Sequence, residues 1–288
     1  MKNSDKYELV HEDAFEWLKR RRSKSVHAVV TDPPFGIVEY TSVELEKQRN
    51  GNGGIWRLPQ AYDGQKRRPM PRFTVLRETD HERICDFHTL LAPPLYRILV
   101  PGGHVIIASQ NLISHIVVSA FYKAGFEIRG QIARVVKTLR GGDRPKGAHF
   151  KYPDISVSPR SCWEPWLIFR KPCEGRVQDN LKKWRTGALR RPQSGNPFSD
   201  LIYSSPARGT EREIASHPSL KPQSFMRQVV RAALPLGRGV LLDPFMGSGA
   251  TVAAAKALGL RSIGIELDDE FFKLAQRSVP SLAKINVE

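Results

Sequence analysis

Apolar residues along this chain fall in short runs divided by polar, glycine- and proline-containing turns, and the runs switch between two periods. Tyr7–Val10 reads as a short strand and leads into Asp13–Leu18, whose apolar positions recur at helical spacing. Val26-His27-Ala28-Val29-Val30 is apolar enough to be a strand buried on both faces. His88–Leu99 predicts a helix that ends before Pro101-Gly102-Gly103. A buried strand at 104–109 follows, then a helix over Leu112–Ala124 stopped by Gly125. Residues 126–136 and 165–170 predict two strands with no helix between them, so one of the pair is expected to be antiparallel. Further on, Gln223–Leu234 predicts a helix behind Pro222, Val240–Leu242 a strand and Ala250–Leu258 a helix. Ser262–Ile265, closed by Glu266, predicts a strand and Asp269–Ser278 a last helix. Strands that alternate with helices at both ends of a chain imply an α/β fold, a mostly parallel sheet with helices on both faces. Two stretches, 36–85 and 171–216, are polar, basic and weakly periodic.

Composition narrows the class. A length of 288 residues with 40% hydrophobic content accommodates one large α/β domain with insertions, or two small ones. The formal net charge of +16 suits a protein that meets a polyanion. No apolar run reaches the ~18 residues that a membrane span requires. The N-terminus leads into no signal-like apolar core, so a cytoplasmic protein is expected. Cys85, Cys162 and Cys173 match no zinc spacing and fit reduced thiols.

Chemistry concentrates where predicted strands end. Asp32-Pro33-Pro34-Phe35 follows the buried strand, which the two prolines stop because neither can donate to a ladder. That leaves a carboxylate, rigid carbonyls and an aromatic ring at the carboxyl edge of a sheet, where open α/β sheets bind ligands. A carboxylate and a carbonyl can both accept from an exocyclic NH2 while a ring stacks on the base that carries it. Asp243-Pro244-Phe245-Met246-Gly247-Ser248-Gly249 is a second strand-to-glycine turn, and its glycines let backbone approach a ligand closely. Glu266 closes the next strand, where an acid can bind both hydroxyls of a ribose. The third glycine of the dinucleotide fingerprint is missing, and no Gly-Lys-Ser/Thr follows.

Four segments in order resemble the amino-group DNA methyltransferases of the β arrangement, in which the base-pocket motif precedes the donor-binding motif. They are Glu12–Leu18, Thr31–Phe35, His217-Pro218-Ser219-Leu220-Lys221-Pro222, and Asp243–Thr251 with Glu266. The family usually has Thr where Ser219 stands, so a hydroxyl is kept. The resemblance implies a Rossmann-like, S-adenosylmethionine-dependent methyltransferase fold with circularly permuted motif order. It implies catalytic roles for Asp32, Pro33, Pro34 and Phe35. Donor contacts are implied for Asp13, Lys221, Asp243, Phe245, Gly247, Ser248, Gly249 and Glu266, with Lys221 placed near the donor's carboxylate.

The organisation expected from this likeness is a catalytic half over 1–171 and a donor-binding half of the same domain over 213–288. Between them, 172–212 is expected to recognise the target through Lys182, Lys183, Arg185, Arg190 and Arg191. The stretch 36–85 is expected to be a mobile loop that closes over DNA or supports a dimer. Implied partners are double-stranded DNA, a second copy of the chain and a cognate restriction endonuclease. Asp32 favours adenine N6 as the target, because relatives acting on cytosine N4 more often carry Ser there. The alternatives are an N4-cytosine enzyme, a catalytically silent DNA-binding protein on the same scaffold, and an RNA substrate.

Overall fold

The computed structural model describes residues 6–34, 61–62, 65–66, 78–136, 145, 147–148, 150–159, 161–207, 209–217 and 219–287. Within these, Tyr7–His11 forms β1, Ala14–Arg20 α1 and Val26–Thr31 β2. Two short strands, Ala61–Tyr62 (β3) and Gln65–Lys66 (β4), pair antiparallel apart from the main sheet. Then come α2 (Glu78–Ile98), β5 (Leu99–Ala108), α3 (Ser114–Lys123), β6 (Glu127–Val135) and β7 (Trp163–Arg170). The remainder is α4 (Val177–Trp184), β8 (Leu201–Tyr203), α5 (Thr210–Ile214), α6 (Gln223–Ala233), β9 (Val240–Asp243), α7 (Ala250–Ala257), β10 (Arg261–Glu266) and α8 (Asp269–Leu282).

Eight strands make one sheet in the order β1-β10-β9-β2-β5-β7-β6-β8. Every neighbouring pair is parallel except β5 with β7 and β6 with β7, so β7 alone runs against the rest. This is the single reversed strand that the missing helix between 136 and 163 implied. Because β1 pairs with β10 and β2 with β9, the N- and C-terminal parts of the chain share one sheet.

Strand alternation sorts the core into two layers. Val29, Val105, Ile107, Phe169, Leu242 and Ile265 face α1, α2 and α3, meeting Trp17, Leu18, Leu91, Leu95 and Phe121. Ala28, Val30, Ile106, Ile168 and Leu241 face the other way, onto Phe225, Met226, Val229 and Val230 of α6 and Ala254 of α7. With about 1.5–3 kcal/mol for each large apolar side chain fully buried, these two layers dominate the stability of the sheet.

Register then decides what emerges together. His11 lies opposite Glu266, Gly264 opposite Asp243, Val29 opposite Leu242 and Thr31 opposite Ile107. The carboxyl ends of β1, β10, β9, β2 and β5 are therefore level, and their following residues surface along one edge.

Several expectations need correction. The helix placed at 88–99 begins at Glu78, because its first two turns are polar and carry no apolar stripe; the stretch expected as a loop to 85 ends correspondingly earlier. The strand placed at 104 begins at Leu99 and runs through Pro101-Gly102-Gly103. Residues 171–216 contain α4, β8 and α5, which weak periodicity concealed. Of the stretch 36–85, residues 36–60, 63–64 and 67–77 lie outside the described residues, as does Phe35. No described helix is long and apolar enough to cross a membrane.

Candidate functional site

The level strand ends wall a cavity of about 830 Å³. One part of its lining is Asp32, Pro33, Pro34, Trp166, Leu220, Lys221 and Met226. The other includes Asp13, Phe15, Phe87, Asp243, Phe245, Gly247, Ser248, Glu266 and Phe271. The two strand-end motifs, remote in sequence, thus share one cleft.

They also touch. The Thr31 hydroxyl donates to Asp243 Oδ1 at 2.7 Å, and the Phe245 amide donates to the same oxygen at 3.1 Å. Asp243 is 2% exposed. Burial pushes its carboxyl up to about 6, against the lowering pull of bonds from Thr251, Thr31 and Phe245, with the Asp32 charge adding to the rise. Asp243 therefore builds the wall and joins β2 to the glycine turn.

That turn is held from several sides. The Met246 amide bonds to the Ile265 carbonyl at 2.9 Å, and the Gly247 amide donates to Glu266 Oε2 at 2.9 Å. Gly247 and Gly249 have φ of 51° and 82°, in the left-handed region that favours glycine. A Cβ on Gly249 would sit 2.4 Å from Val279 Cγ2, so α7 and α8 could not close on the turn with any larger residue. His217 stands 3.1 Å from where a Gly247 Cβ would be, and its ring meets Phe271 edge-on with centroids 4.5 Å apart. Burial first, then the charges of Lys221 and Arg212, lower the His217 imidazole to about 4, so it is neutral near pH 7.

Glu266 Oε1 also accepts from the Asp268 amide at 2.9 Å, so each carboxylate oxygen holds one backbone N–H and keeps a further lone pair. Asp13 is the N-cap of α1, its Oδ1 accepting from the Phe15 and Glu16 amides at 2.8 and 3.0 Å. It lines the cavity as well, so capping and site position coexist in one side chain. Phe15, Phe87 and Phe245 form a three-ring cluster, with centroids 5.6–6.4 Å apart, beside this part of the cleft.

Asp32 sits at the opposite part. Its Oδ2 is engaged by the Lys221 ammonium, while its Oδ1 is buried without a hydrogen-bond partner. Burial raises this carboxyl, and the nearby Glu164 charge adds to that; the Lys221 charge and hydrogen bond and the Arg134 charge oppose it. Lys221, expected near the donor's carboxylate, thus turns its ammonium to Asp32. At the end of β5, Ser109 Oγ and Gln110 Nε2 are also buried without partners.

Sequence reasoning passed over Glu164, Trp166 and Arg134. Glu164 Oε1 accepts from Arg134 Nη1 at 2.8 Å and Trp166 Nε1 at 2.9 Å. The available signal was an acid and a base beside the apolar positions of two strands expected to pair, since buried charge is costly unless it is paired.

The basic residues expected to recognise the target surround α4 and the segment that follows it. Lys182 and Lys183 close α4, with Arg185 just beyond as its left-handed cap. α4 is fastened near the start of β5: Asn180 donates to the Pro101 and Thr186 carbonyls at 3.1 and 2.8 Å, and the Thr186 hydroxyl donates to Pro101 at 2.6 Å. Arg190 donates its amide to the Ala232 carbonyl at the end of α6, and Arg191 bonds to the Gly195 carbonyl at 2.8 Å. Lys182, Lys183 and Arg185 therefore lie at the amino edge of the sheet, a strand length (roughly 20 Å) from the cavity. The base-pocket motif lies at the other edge, because β7 runs in reverse and the connection after it returns to the foot of the sheet.

A sequence profile described as DNA methylase matches residues 26–277. Type II methyltransferase M.HindIII of Haemophilus influenzae is 25% identical over 293 residues, covering 93% of this chain and 93% of that protein. Type II methyltransferase M2.DpnII of Streptococcus pneumoniae is 25% identical over 288 residues, 99% of this chain and 93% of that one. Among solved structures, the M1.HpyAVI–SAM complex superposes with a TM-score of 0.57 at 20% identity, across 95% of this chain and 98% of the other.

Proposed function

The chain belongs to the N6/N4 family of DNA methylases, and from that premise we propose that it methylates the N6 amine of adenine in double-stranded DNA after the base is swung out of the helix. Its methyl donor is S-adenosylmethionine, which supplies an activated sulfonium methyl group. The cavity fits such a donor. Bare glycine backbone at Gly247 and Gly249, the lone pairs left on Glu266, and the Phe15–Phe87–Phe245 rings offer contacts for a charged chain, a ribose and an adenine respectively.

The observation that carries the reading is the unpartnered Asp32 Oδ1, buried in the same cleft as the glycine turn. A buried acceptor left empty costs about 1–3 kcal/mol, so its natural occupant is a donor brought by the substrate. An exocyclic amine is a weak nucleophile because its lone pair is delocalised into the ring. With one N–H held by Asp32 and the other by the Pro33 carbonyl, that lone pair localises on nitrogen, and the developing positive charge is stabilised. Pro33 and Pro34 keep the acceptor geometry stiff. No covalent enzyme intermediate is required, since alignment of amine and donor supplies much of the rate. A base inside a duplex cannot reach so recessed a carboxylate, which supports extrusion of the base. Asp32 supports adenine over cytosine, because the cytosine-N4 enzymes that the chain resembles more often carry Ser there.

The test is incubation with labelled donor and unmethylated DNA, followed by identification of the modified nucleoside. N6-methyladenine is the expected product. N4-methylcytosine would overturn the choice of base and leave the mechanism standing; absence of both would overturn the reaction.

A further inference from the structure

Behind the cleft wall formed by Trp166 lies a second pair of opposite charges that the reaction outlined above leaves unused. Arg134 on β6 has a side chain 4% exposed and donates to Glu164 on β7. It also donates to Ser204 Oγ at 3.0 Å and the Ser205 carbonyl at 2.9 Å, with its guanidinium 5.0 Å from the centre of the Phe225 ring. Removing such a pair from water is costly, and a hydrophobic pair of similar volume is often as stable or more so, so stability alone does not account for it. Glu164 holds the indole of Trp166, which lines the cavity with Lys221, and the Lys221 charge reaches Glu164. The Lys221 side chain is 13% exposed and engages Asp32 Oδ2, and its charge acts on Asp32 and Glu164 alike. Burial alone would raise the Glu164 carboxyl; the charges of Lys221 and Arg134, with bonds from Trp166 and Arg134, bring it below its ordinary value. Asp32, Lys221, Glu164 and Arg134 thus alternate in sign, and the two negative charges balance the two positive ones.

We propose that Lys221, braced by the Glu164–Arg134 pair, is a positioning residue that ties one oxygen of Asp32, turns the other to the target amine and supplies the counter-charge this buried carboxylate needs. The proposal rests on the methyltransferase reading. It gives the lysine of the His217–Pro222 segment a role on the base side of the cleft rather than on the donor. A protonated Asp32 would offer a weaker acceptor to the amine, and burial pushes it toward that form. Lys221 opposes the push without occupying Oδ1. The other titratable groups facing this cluster are Asp243, joined to β2 through Thr31, and His217, beside Lys221 on the same segment.

The experiment measures methyl transfer at saturating donor and DNA between pH 5 and 9 for the wild type, Lys221→Met, Lys221→Arg and Glu164→Gln, with donor affinity from calorimetry. Lys221→Met is expected to lower kcat about 100-fold, the scale of losing one preorganised electrostatic contact. Its donor Kd should stay within about 3-fold, and the acid limb of its pH profile should move to higher pH, because removing a positive neighbour favours the protonated carboxyl. Lys221→Arg, which keeps the charge, is expected to recover about ten-fold of the loss. Glu164→Gln keeps an acceptor for Arg134 and Trp166 but removes a negative neighbour, so its acid limb should move to lower pH.

A Lys221→Met enzyme whose donor Kd rises ten-fold or more while kcat at saturation holds would make Lys221 a donor ligand and overturn the proposal. So would equal losses in all variants with an unmoved acid limb. A wild type that methylates no DNA refutes the parent reading instead. In that event a carboxyl NMR titration of Asp32 still decides the pairing: its midpoint must rise in Lys221→Met, and an unmoved midpoint ends the idea.

Discussion

The two edges of the sheet differ in where they place their polar groups. At the amino edge, Asn180 and Thr186 satisfy the Pro101 carbonyl, and Arg97 caps the carbonyls of Leu18, Lys19 and Arg21. Lys171 reaches the carbonyls of Tyr96 and Leu99 at 2.8 and 2.9 Å. At the carboxyl edge, Asp32 Oδ1, Ser109 Oγ and Gln110 Nε2 are buried with no partner. The amino edge spends these groups on internal bonds, although Ser262 Oγ and His104 Nδ1 there also lack partners, while the carboxyl edge leaves Asp32 Oδ1 unpartnered beside the cavity. The lesson is a division of labour: the foot of the sheet contributes stability, and the top retains unspent hydrogen-bonding capacity for ligands.

The comparison breaks first at Asp32. Asp32→Ala is expected to lower methyl transfer by 10³-fold or more, roughly 4 kcal/mol of transition-state stabilisation, with donor affinity held within about 3-fold. A matched loss of donor affinity, measured by calorimetry, would take Asp32 out of the base side.

At the other edge, Asn180→Ala takes a donor from the Thr186 carbonyl and an acceptor from the Glu174 amide, and leaves the Pro101 carbonyl with the Thr186 hydroxyl alone. It is expected to cost about 2–3 kcal/mol in chemical denaturation, with kcat and donor Kd unchanged. A catalytic defect at full stability would erase the distinction between the edges.

Glu266→Ala is expected to weaken donor binding about 10- to 30-fold, close to 2 kcal/mol, through lost ribose contacts and a loosened Gly247 amide. An unaltered Kd would refute the ribose assignment.

A pH series sharpens the contrast, because the edges titrate with opposite sign. Asp243, raised by burial from 3.8 to about 6, binds more protons folded than unfolded between those values. Its contribution is present below 3.8 and is lost as pH rises through 6. His104, in β5, is lowered by burial, then by the charges of Arg170 and Arg129, from 6.5 to about 3, so its contribution is present above 6.5 and is lost as pH falls. Asp243→Asn should therefore make unfolding free energy rise more steeply between pH 4 and 6.5 than in the wild type, by of order 1–2 kcal/mol over the range. Parallel curves for the two proteins would contradict this assignment.

The smallest effect is expected from the triple change Lys182→Ala, Lys183→Ala and Arg185→Ala. The slope of log DNA affinity against log salt should fall by less than about one. A fall near three would place these residues at the DNA interface.

Much of this arrangement was legible in the residues. Period-two runs such as Ile263 to Ile265 and the arrest of β2 at two prolines located the sheet and its working edge, because those patterns follow from local sterics. The reversed β7 was readable from a missing helix. Other features were not readable, since they depend on which elements become neighbours. Nothing in the polar stretch Glu78–Arg83 announces the first turns of a helix; its inner face becomes visible only when Ile84, Leu91 and Leu95 are seen packed. The partner of Lys221 could not be read, because Asp32 lies 189 positions away. Basic composition drew attention to Lys182–Arg191, yet charge carries no information about which edge of a sheet a helix will occupy. Glu164 and Arg134 occupy strands read for their apolar neighbours, and their pairing is a product of the β6–β7 register.

The Thr31–Asp243 bond spans 212 positions of sequence at 2.7 Å, and its two strands are direct neighbours. As the chain leaves the ribosome, β2 can pair with β5 early, but its other side stays bare until β9 has been made. Until then the nascent protein carries a Val-rich strand with an open ladder, the kind of surface that recruits a second chain. A truncation that stops at Leu234 would leave that ladder open permanently, with aggregation rather than a half-active enzyme as its outcome.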